Sequence, residues 1–389
     1  MRNLAILGST GSIGCSTLDV VKSNPGMFDI QLLAAKKNHP LLLKQIKLFK
    51  PNFVYLDDES SLIKLKSEIK SIDNTLEVIS NEQNLLDLIS SNVIDTVVAA
   101  VVGIAGLNGV EAALSSGKRV LLANKESYVV AGEYLNKICK ENEGLIIPLD
   151  SEHSAIHQCL SRSSQKERPS RIILTGSGGP FLNKEKSDLV NVTKEDAINH
   201  PIWKMGKKIS VDSSTLMNKG LELIEAKWLF ESYAKEIEIT IHPEGVVHSL
   251  VEFKDRSIIA QMGKPDMKIP IAYGLGYPNR INSNVESLNL SELGALTFLD
   301  PDYDKFPCLG LAKEALMVGG TAPAILNAAN EVAVEAFLCE EIEYLEIAKV
   351  ISEVLERNEI ENVDDIDLIK EVDLMARRSA EEIIKGLAA

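Results

Sequence analysis

Asp150 and Glu152 stand one residue apart in Leu149-Asp150-Ser151-Glu152-His153, directly after the apolar run Leu145-Ile146-Ile147-Pro148. If that run is a buried strand, its end delivers both carboxylates to one point, because residues two apart in an extended segment point the same way. Two carboxylates on one side repel unless a cation lies between them. The pair therefore reads as half of an oxygen-lined site for a hard divalent metal. A solvated Asp-x-Glu loop is the competing reading. A third acid comes from 218–229, which is helical in period, with Leu221, Ile224 and Trp228 as its apolar stripe. Asn218, Glu222 and Glu225 share one face by i, i+4 and i, i+3 spacing, and Lys219 lies three before Glu222. Such a charged face is ordinarily a solvated surface. Beside an acid pair that wants a third ligand, Glu222 becomes the candidate.

Other residues carry different chemistry. Gly8-Ser9-Thr10-Gly11-Ser12-Ile13-Gly14 follows an apolar run and opens a helix, the context in which glycines let the backbone approach a pyrophosphate at a helix N-terminus. A plain strand-to-helix turn has the same outline. The second apolar run ends in Lys36-Lys37-Asn38. An NAD enzyme places an acid there for the ribose 2′-hydroxyl. Two lysines favour a 2′-phosphate and hence NADP, although a solvated lysine pair reads the same. Asn124-Lys125-Glu126 opens a helix at the carboxyl end of the sheet, where ligands bind in this architecture. Gly176-Ser177-Gly178-Gly179-Pro180 offers backbone N–H groups and a hydroxyl to a phosphate. The polar stretch after it, 182–195, reads as a long mobile loop, a common form of lid. It ends in His200-Pro201-Ile202-Trp203-Lys204-Met205-Gly206, where Trp203 either covers a bound substrate or pins the loop to the core.

These groups need elements to position them. Strand-like runs at Asn3–Leu7, Ile30–Ala35, Phe53–Leu56, Glu77–Ile79, 96–101, Arg119–Leu122 and 145–147 alternate with helical stretches such as 41–49, 84–90 and 125–140. That alternation predicts a Rossmann-like, doubly wound parallel sheet. Strands at 171–175, 238–242, 246–253 and 257–262 predict a second α/β domain, and the pattern from 309 onward is helical. The net charge of −15 argues against general nucleic-acid binding and against adhesion to an anionic membrane. Five scattered cysteines, no signal-peptide core and no run long enough for a membrane span point to a cytoplasmic protein.

Taken in order, GSTGSIG (8–14), LANKES (122–127), PLDSEHSAI (148–156), GSGGPF (176–181), HPIWKMGKKISVDSSTLMNKGLELIEA (200–226) and LNAANEVAV (326–334) resemble the 1-deoxy-D-xylulose-5-phosphate reductoisomerases along nearly the whole chain. The resemblance implies an NADPH-binding domain at 1–149, a catalytic α/β domain at 150–276 with a flexible flap at 178–207, a linker at 277–304 and a C-terminal helical domain at 305–389. It also implies a homodimer. Carried onto these residues, Thr10, Gly11, Ser12 and Ile13 hold the NADPH phosphates. Lys36, Lys37 and Asn38 approach the 2′-phosphate, and Asn124, Glu126 and Gly206 complete the cofactor site. Asp150, Glu152 and Glu222 bind Mg²⁺ or Mn²⁺. Lys125, Ser151 and Glu152 meet the reacting end of a small phosphorylated sugar, while Ser177, His200, Ser213, Asn218 and Lys219 hold its other end. The expected catalytic set is Lys125, Asp150, Glu152 and Glu222. Departures are Lys36, where the family often has glycine, Gly176 and Ser214 in place of alanines, and His242-Pro243-Glu244-Gly245 in place of His-Pro-Gln-Ser.

The implied reaction is rearrangement of 1-deoxy-D-xylulose 5-phosphate followed by hydride reduction to 2-C-methyl-D-erythritol 4-phosphate, a step of the non-mevalonate isoprenoid pathway. Three carboxylates suit the hard cation such a step needs. The rivals are a metal-independent NADP dehydrogenase of a small hydroxy acid or aldehyde, and a nucleotide-sensing protein without turnover.

Overall fold

In the computed structural model, described over residues 1–69, 76–160, 168–203, 205–232, 234–363 and 365–387, the apolar runs become strands and the amphipathic stretches become the helices that cover them. Lys204, inside the expected flap, lies outside the described residues. By contacts the chain forms two units: Met1–Ser127 with Leu135–Ser154 and Asp266–Glu286, and Tyr128–Tyr134 with Ala155–Pro265 and Ser287–Ala389.

The first unit is built on β1 (Arg2–Leu7), β2 (Phe28–Ala35), β3 (Phe53–Leu56), β4 (Glu77–Ile79), β5 (Thr96–Ala99), β6 (Arg119–Leu122) and β7 (Leu145–Pro148). Each strand pairs parallel to its neighbours in the order β4-β3-β2-β1-β5-β6-β7. Helices cover both faces of a parallel sheet, so the strands read as continuous apolar runs. Leu4, Ile6, Leu33, Val54, Val98, Leu121 and Ile147 are buried together in one core. The order reverses between β1 and β5, which places the ligand crevice at their carboxyl ends. Helix Lys268–Gly276 joins this core through Ile271 and Leu275. Its C-terminal carbonyls have no helical partners. Arg2 donates to the carbonyls of Leu275 (2.5 Å) and Tyr277 (2.9 Å), and Arg119 donates to that of Tyr277 (2.8 Å). Two guanidinium groups at the negative end of a helix also suit its dipole.

The second unit holds a mixed sheet of β8 (Arg171–Gly176), β9 (Ile237–Ile241), β10 (Val247–Glu252) and β11 (Ile258–Met262), in the order β11-β10-β8-β9. Strands β8 and β9 are parallel, and β10 runs antiparallel to β8 and to β11. Helix Met217–Leu229 lies in its core through Leu221 and Ile224, with Leu309, Ile325, Val334 and Ile351 of the C-terminal helices. The expected helical C-terminal region is present as Pro307–Val318, Ala322–Leu338, Glu346–Arg357 and Ile366–Leu387.

The stretch 178–207 is better anchored than its composition predicts. Phe181, Leu189, Val192 and Ala197 are buried in the same core. A 3₁₀ turn at Lys186–Asn191 and a helix at Lys194–Ile198 fill its middle, the helix closed by a reciprocal capping box between Thr193 and Asp196. Among the described residues of this stretch, 178–185, 192–193, 199–203 and 205–206 lie outside helices and strands. No helix among the described residues is long and apolar enough to cross a membrane.

Candidate active site

In the first unit the turn after β1 leaves no room for side chains. A Cβ on Gly8 would lie 2.3 Å from the Ala100 carbonyl oxygen, and one on Gly14 would lie 2.4 Å from that of Gly8. Gly8 also has φ +85°, a conformation that costs an L-residue with a side chain. Helix Ser12–Lys22 starts at Gly11 with no side-chain cap. The amides of Ser12, Ile13 and Gly14 therefore face outward from the positive end of the helix dipole, without intrahelical partners. The cradle has the shape and exposed amides that a diphosphate needs, and Thr10, Gly11, Ser12 and Ile13 lie along it. Lys36 and Lys37 are exposed just past β2. Asn38 caps the next helix, His39–Phe49, by accepting from the Leu41 amide at 3.3 Å.

Asn124 is 1% exposed and its side chain is fully engaged. Its Oδ1 accepts from the amide (3.1 Å) and hydroxyl of Ser127, which caps helix Lys125–Glu141. Its Nδ2 donates to the carbonyls of Val101 (2.6 Å) and Gly103 (2.9 Å) and to Glu126 Oε2 (3.3 Å). Asn124 thus fixes the loop beyond β5 and the orientation of its neighbour Glu126.

The Asp150/Glu152 pair arises differently from the sequence expectation. Strand β7 ends at Pro148, and Ser151–Leu160 is a helix. Asp150 caps that helix: its Oδ1 accepts from the amides of Glu152 (3.1 Å) and His153 (3.3 Å). The two acids come together on the first turn of a helix, not along an extended strand. The positive helix end favours both as carboxylates. The second Asp150 oxygen lies 3.0 Å from Lys125 Nζ, and Ser151 donates its hydroxyl to Glu152 Oε2. Lys125, Asp150, Ser151 and Glu152 are therefore one hydrogen-bonded group within the first unit.

In the second unit the expected residues form two groups. Ser177 and His200 meet at 3.0 Å (Oγ to Nε2). His200 Nδ1 accepts from the amides of Ile202 (3.2 Å) and Trp203 (2.9 Å). An acceptor Nδ1 fixes the neutral tautomer with its proton on Nε2, so His200 donates to Ser177. Burial lowers the His200 pKa and favours the same neutral form. Ser177 Oγ also accepts from the Gly179 amide at 3.2 Å. With two donors on its oxygen, the Ser177 hydroxyl keeps its own proton for a further acceptor. Gly179, at φ +68°, would place a Cβ 2.7 Å from the Ser213 carbonyl oxygen, so its lack of a side chain brings the Ser177 turn against Ser213.

The second group is Asn218, Lys219 and Glu222 on helix Met217–Leu229. Glu222 is 1% exposed. Asn218 Nδ2 donates to its Oε1 at 2.6 Å and Lys219 Nζ to its Oε2, the arrangement the i, i+3 and i, i+4 spacing predicts. The break before this helix is Leu216, held at φ +59°, a strain of about 1–3 kcal/mol that buried surroundings must enforce. Trp203 is half-buried, with its ring 6.2 Å from that of His248. Gly206 begins helix Lys207–Ser214 without a side-chain cap.

Three supports escape the sequence reading. Gln45 binds Ser9 inside the glycine turn. Asp212 is buried between Lys208 (2.8 Å) and Asn330 (2.8 Å), and Tyr344 donates to the Ser214 carbonyl at 2.7 Å. The available signal was polarity in the wrong place: Gln45 stands in the apolar stripe of its helix, beside the buried Leu42 and Ile46.

The first unit, with its glycine cradle at the switch point, defines a Rossmann-type dinucleotide-binding protein, and the second unit adds the glycine turn that carries Ser177 and the buried carboxylate of Glu222. Family models for "1-deoxy-D-xylulose 5-phosphate reductoisomerase" match residues 4–132, and its C-terminal domain models match 146–230 and 262–379. The chain belongs to the 1-deoxy-D-xylulose 5-phosphate reductoisomerase family. It is 48% identical to the member from Saccharophagus degradans, covering 98% of each chain, and 46% identical to that from Paraburkholderia xenovorans, covering 99% of this chain and 96% of the relative. Among solved structures, a DOX-P reductoisomerase in complex with NADPH, fosmidomycin and magnesium superposes with TM-score 0.95 at 42% identity, over 100% of this chain and 99% of that one. The Zymomonas mobilis enzyme in complex with NADPH gives TM-score 0.92 at 39% identity, over 98% and 99%.

Proposed function

We propose that this chain catalyses the NADPH- and divalent-metal-dependent rearrangement and reduction of 1-deoxy-D-xylulose 5-phosphate to 2-C-methyl-D-erythritol 4-phosphate, in the non-mevalonate isoprenoid pathway. The observation that carries the reading is the full-length likeness, at 42% identity, to a reductoisomerase complex with NADPH, fosmidomycin and magnesium. When bound, NADPH supplies a hydride, and Mg²⁺ or Mn²⁺ polarises the substrate ketone together with its neighbouring hydroxyl.

The chain's own residues then have distinct tasks. Thr10, Gly11, Ser12 and Ile13 hold the cofactor diphosphate at the helix end, and Lys36, Lys37 and Asn38 meet its 2′-phosphate. Asn124 orders the loop beyond β5, while Glu126 and Gly206 complete the cofactor site. Asp150, Glu152 and Glu222 hold the metal; an all-carboxylate donor set suits a hard cation and not structural zinc. Lys125 and Ser151, bonded to Asp150 and Glu152, orient the reacting end of the substrate. Ser177, Ser213, Asn218 and Lys219 hold the phosphate end, with His200 as a neutral donor to Ser177. Binding energy from that remote phosphate serves to orient the reacting carbons. Trp203 covers the carbon skeleton and excludes water. The short stretch 199–206, beyond the anchored part of the flap, is the segment that closes.

The enzyme acts in the cytoplasm as a homodimer. Edge strand β11 leaves Ile258 and Ile259 half-exposed beside an open edge that a second copy would cover. The test is NADPH oxidation with 1-deoxy-D-xylulose 5-phosphate, with Mg²⁺ or Mn²⁺ and after chelation. Turnover that requires both substrate and metal supports the reading; metal-independent reduction, or none with this substrate, contradicts it.

A further inference from the structure

Gln45 makes a reciprocal pair with Ser9 in the centre of the glycine turn. Ser9 Oγ donates to Gln45 Oε1 at 2.9 Å, and Gln45 Nε2 donates to the Ser9 carbonyl at 2.8 Å. Both residues are buried, at 0% and 5% exposure, so neither bond competes with bulk water. Ser9 is also fixed from its amide, which donates to the Ala34 carbonyl of β2 at 2.9 Å, as does that of Gly8. Every polar atom of Ser9 is thus anchored by β2 or by helix His39–Phe49. That leaves the outward amides of Ser12, Ile13 and Gly14 as the face presented to a diphosphate.

Gln45 has a second connection. Its helix starts at Asn38, directly after Lys36 and Lys37. One side chain therefore ties the diphosphate turn to the helix whose N-terminal approach carries the lysines that face a 2′-phosphate. A dinucleotide bearing both phosphates needs these two segments at a set spacing. Gln45 has a carboxamide that donates and accepts at once, which is what an opposing carbonyl and hydroxyl require.

We propose that Gln45 is a positioning residue for NADPH: through Ser9 it sets the diphosphate turn relative to the lysines after β2, and so sets both affinity for the cofactor and preference for its 2′-phosphate. This rests on the NADPH reading of the first unit. The experiment measures binding directly, by calorimetric titration of the whole protein with NADPH, NADH and 2′,5′-ADP, together with thermal melting. Gln45→Met removes both bonds at similar length; Ser9→Ala removes only the one its hydroxyl donates. The expected result is a dissociation constant for NADPH and for 2′,5′-ADP raised about tenfold or more in Gln45→Met and less in Ser9→Ala. The NADPH-to-NADH preference should shrink in the same order. If Gln45→Met does not fold, Ser9→Ala carries the test, and an unchanged NADPH-to-NADH ratio there overturns the proposal. A lowered melting temperature with unchanged binding of all three ligands also overturns it, since Gln45 would then only fill the core. Failure of the wild-type protein to bind NADPH would instead refute the cofactor reading beneath it.

Discussion

Replacing Ser177 by alanine isolates one donor of the proposed phosphate site. The Ser177 oxygen already accepts from the Gly179 amide and from His200 Nε2, so the proton it loses is the one aimed at the ligand. A hydrogen bond to a charged group contributes about 1.5–3 kcal/mol. At ~1.4 kcal/mol per tenfold, Ser177→Ala should lower kcat/KM for 1-deoxy-D-xylulose 5-phosphate by roughly 10- to 150-fold. The substitution also takes an acceptor from two donors, but Ser177 and His200 are only half-buried and water can replace it, so the stability loss should stay near ~1 kcal/mol. The decisive comparison uses the same sugar without its phosphate. Wild type and variant should then have similar, low kcat/KM, because the lost bond has no partner in either case. Equal losses with both sugars would refute the phosphate assignment. The pH profile adds an independent arm. Burial lowers the His200 pKa, so the neutral donor form is complete above the ordinary imidazole value of about 6.5, persists below it, and is lost as pH falls through the lowered value. A phosphate's own second ionisation, near a pKa of about 6, also belongs to the acid limb. His200→Asn should therefore keep the phosphate's part of the acid limb and lose the imidazole's; an unchanged limb would remove His200 from the site.

Further outcomes follow from the same geometry. Glu222→Gln should weaken Mn²⁺ binding and nearly abolish turnover, with about 1.5–3 kcal/mol of lost stability as the Lys219 bond to a carboxylate weakens; wild-type turnover at limiting Mn²⁺ would contradict the ligand assignment. Lys37→Ala combined with Lys36→Ala should raise the NADPH dissociation constant about tenfold or more and leave that for NADH unchanged, whereas equal effects on both cofactors would show that these lysines do not read the 2′-phosphate. Trp203→Ala should impair substrate KM and kcat while NADPH affinity and melting temperature stay close to wild type; a core anchor would instead lose ~3–5 kcal/mol of stability.

The parallel sheet is legible in the sequence because strands buried on both faces leave uninterrupted apolar runs. Phe53–Leu56, Glu77–Ile79 and Arg119–Leu122 have the expected boundaries, and β2 begins two residues before the expected Ile30. Two helices that carry site residues escape the reading because much of what they bury is polar. Helix Ser151–Leu160 buries His153, Ser154 and Gln158, and helix Lys207–Ser214 buries Ser210, Asp212 and Ser214. In the first, the apolar Ala155, Ile156 and Cys159 are only part of the buried face; in the second only Val211 is an apolar buried residue; and both carry expected site residues. The flap expectation misses Phe181, Leu189, Val192 and Ala197 because these anchors are irregularly spaced, although Thr193 three before Asp196 is a legible helix start. The Asn218, Lys219 and Glu222 cluster is readable because helical spacing alone dictates it. The Asp150 pair is readable for the wrong geometric reason: carboxylates at a helix N-cap and its first turn converge as they would on a strand. Gln45 escapes because the spacing between the turn and its helix says nothing about which side chain reaches back.

In the proposed function this chain both rearranges the sugar phosphate and reduces the product with hydride from NADPH. The most direct measurement is NMR of the product formed from 1-deoxy-D-xylulose 5-phosphate and NADPH deuterated at the transferable position, with Mg²⁺ present. The expected product is branched 2-C-methyl-D-erythritol 4-phosphate carrying deuterium on the carbon that was the rearranged aldehyde. Deuterium on the original ketone carbon of an unbranched sugar alcohol would show a plain dehydrogenase and contradict it.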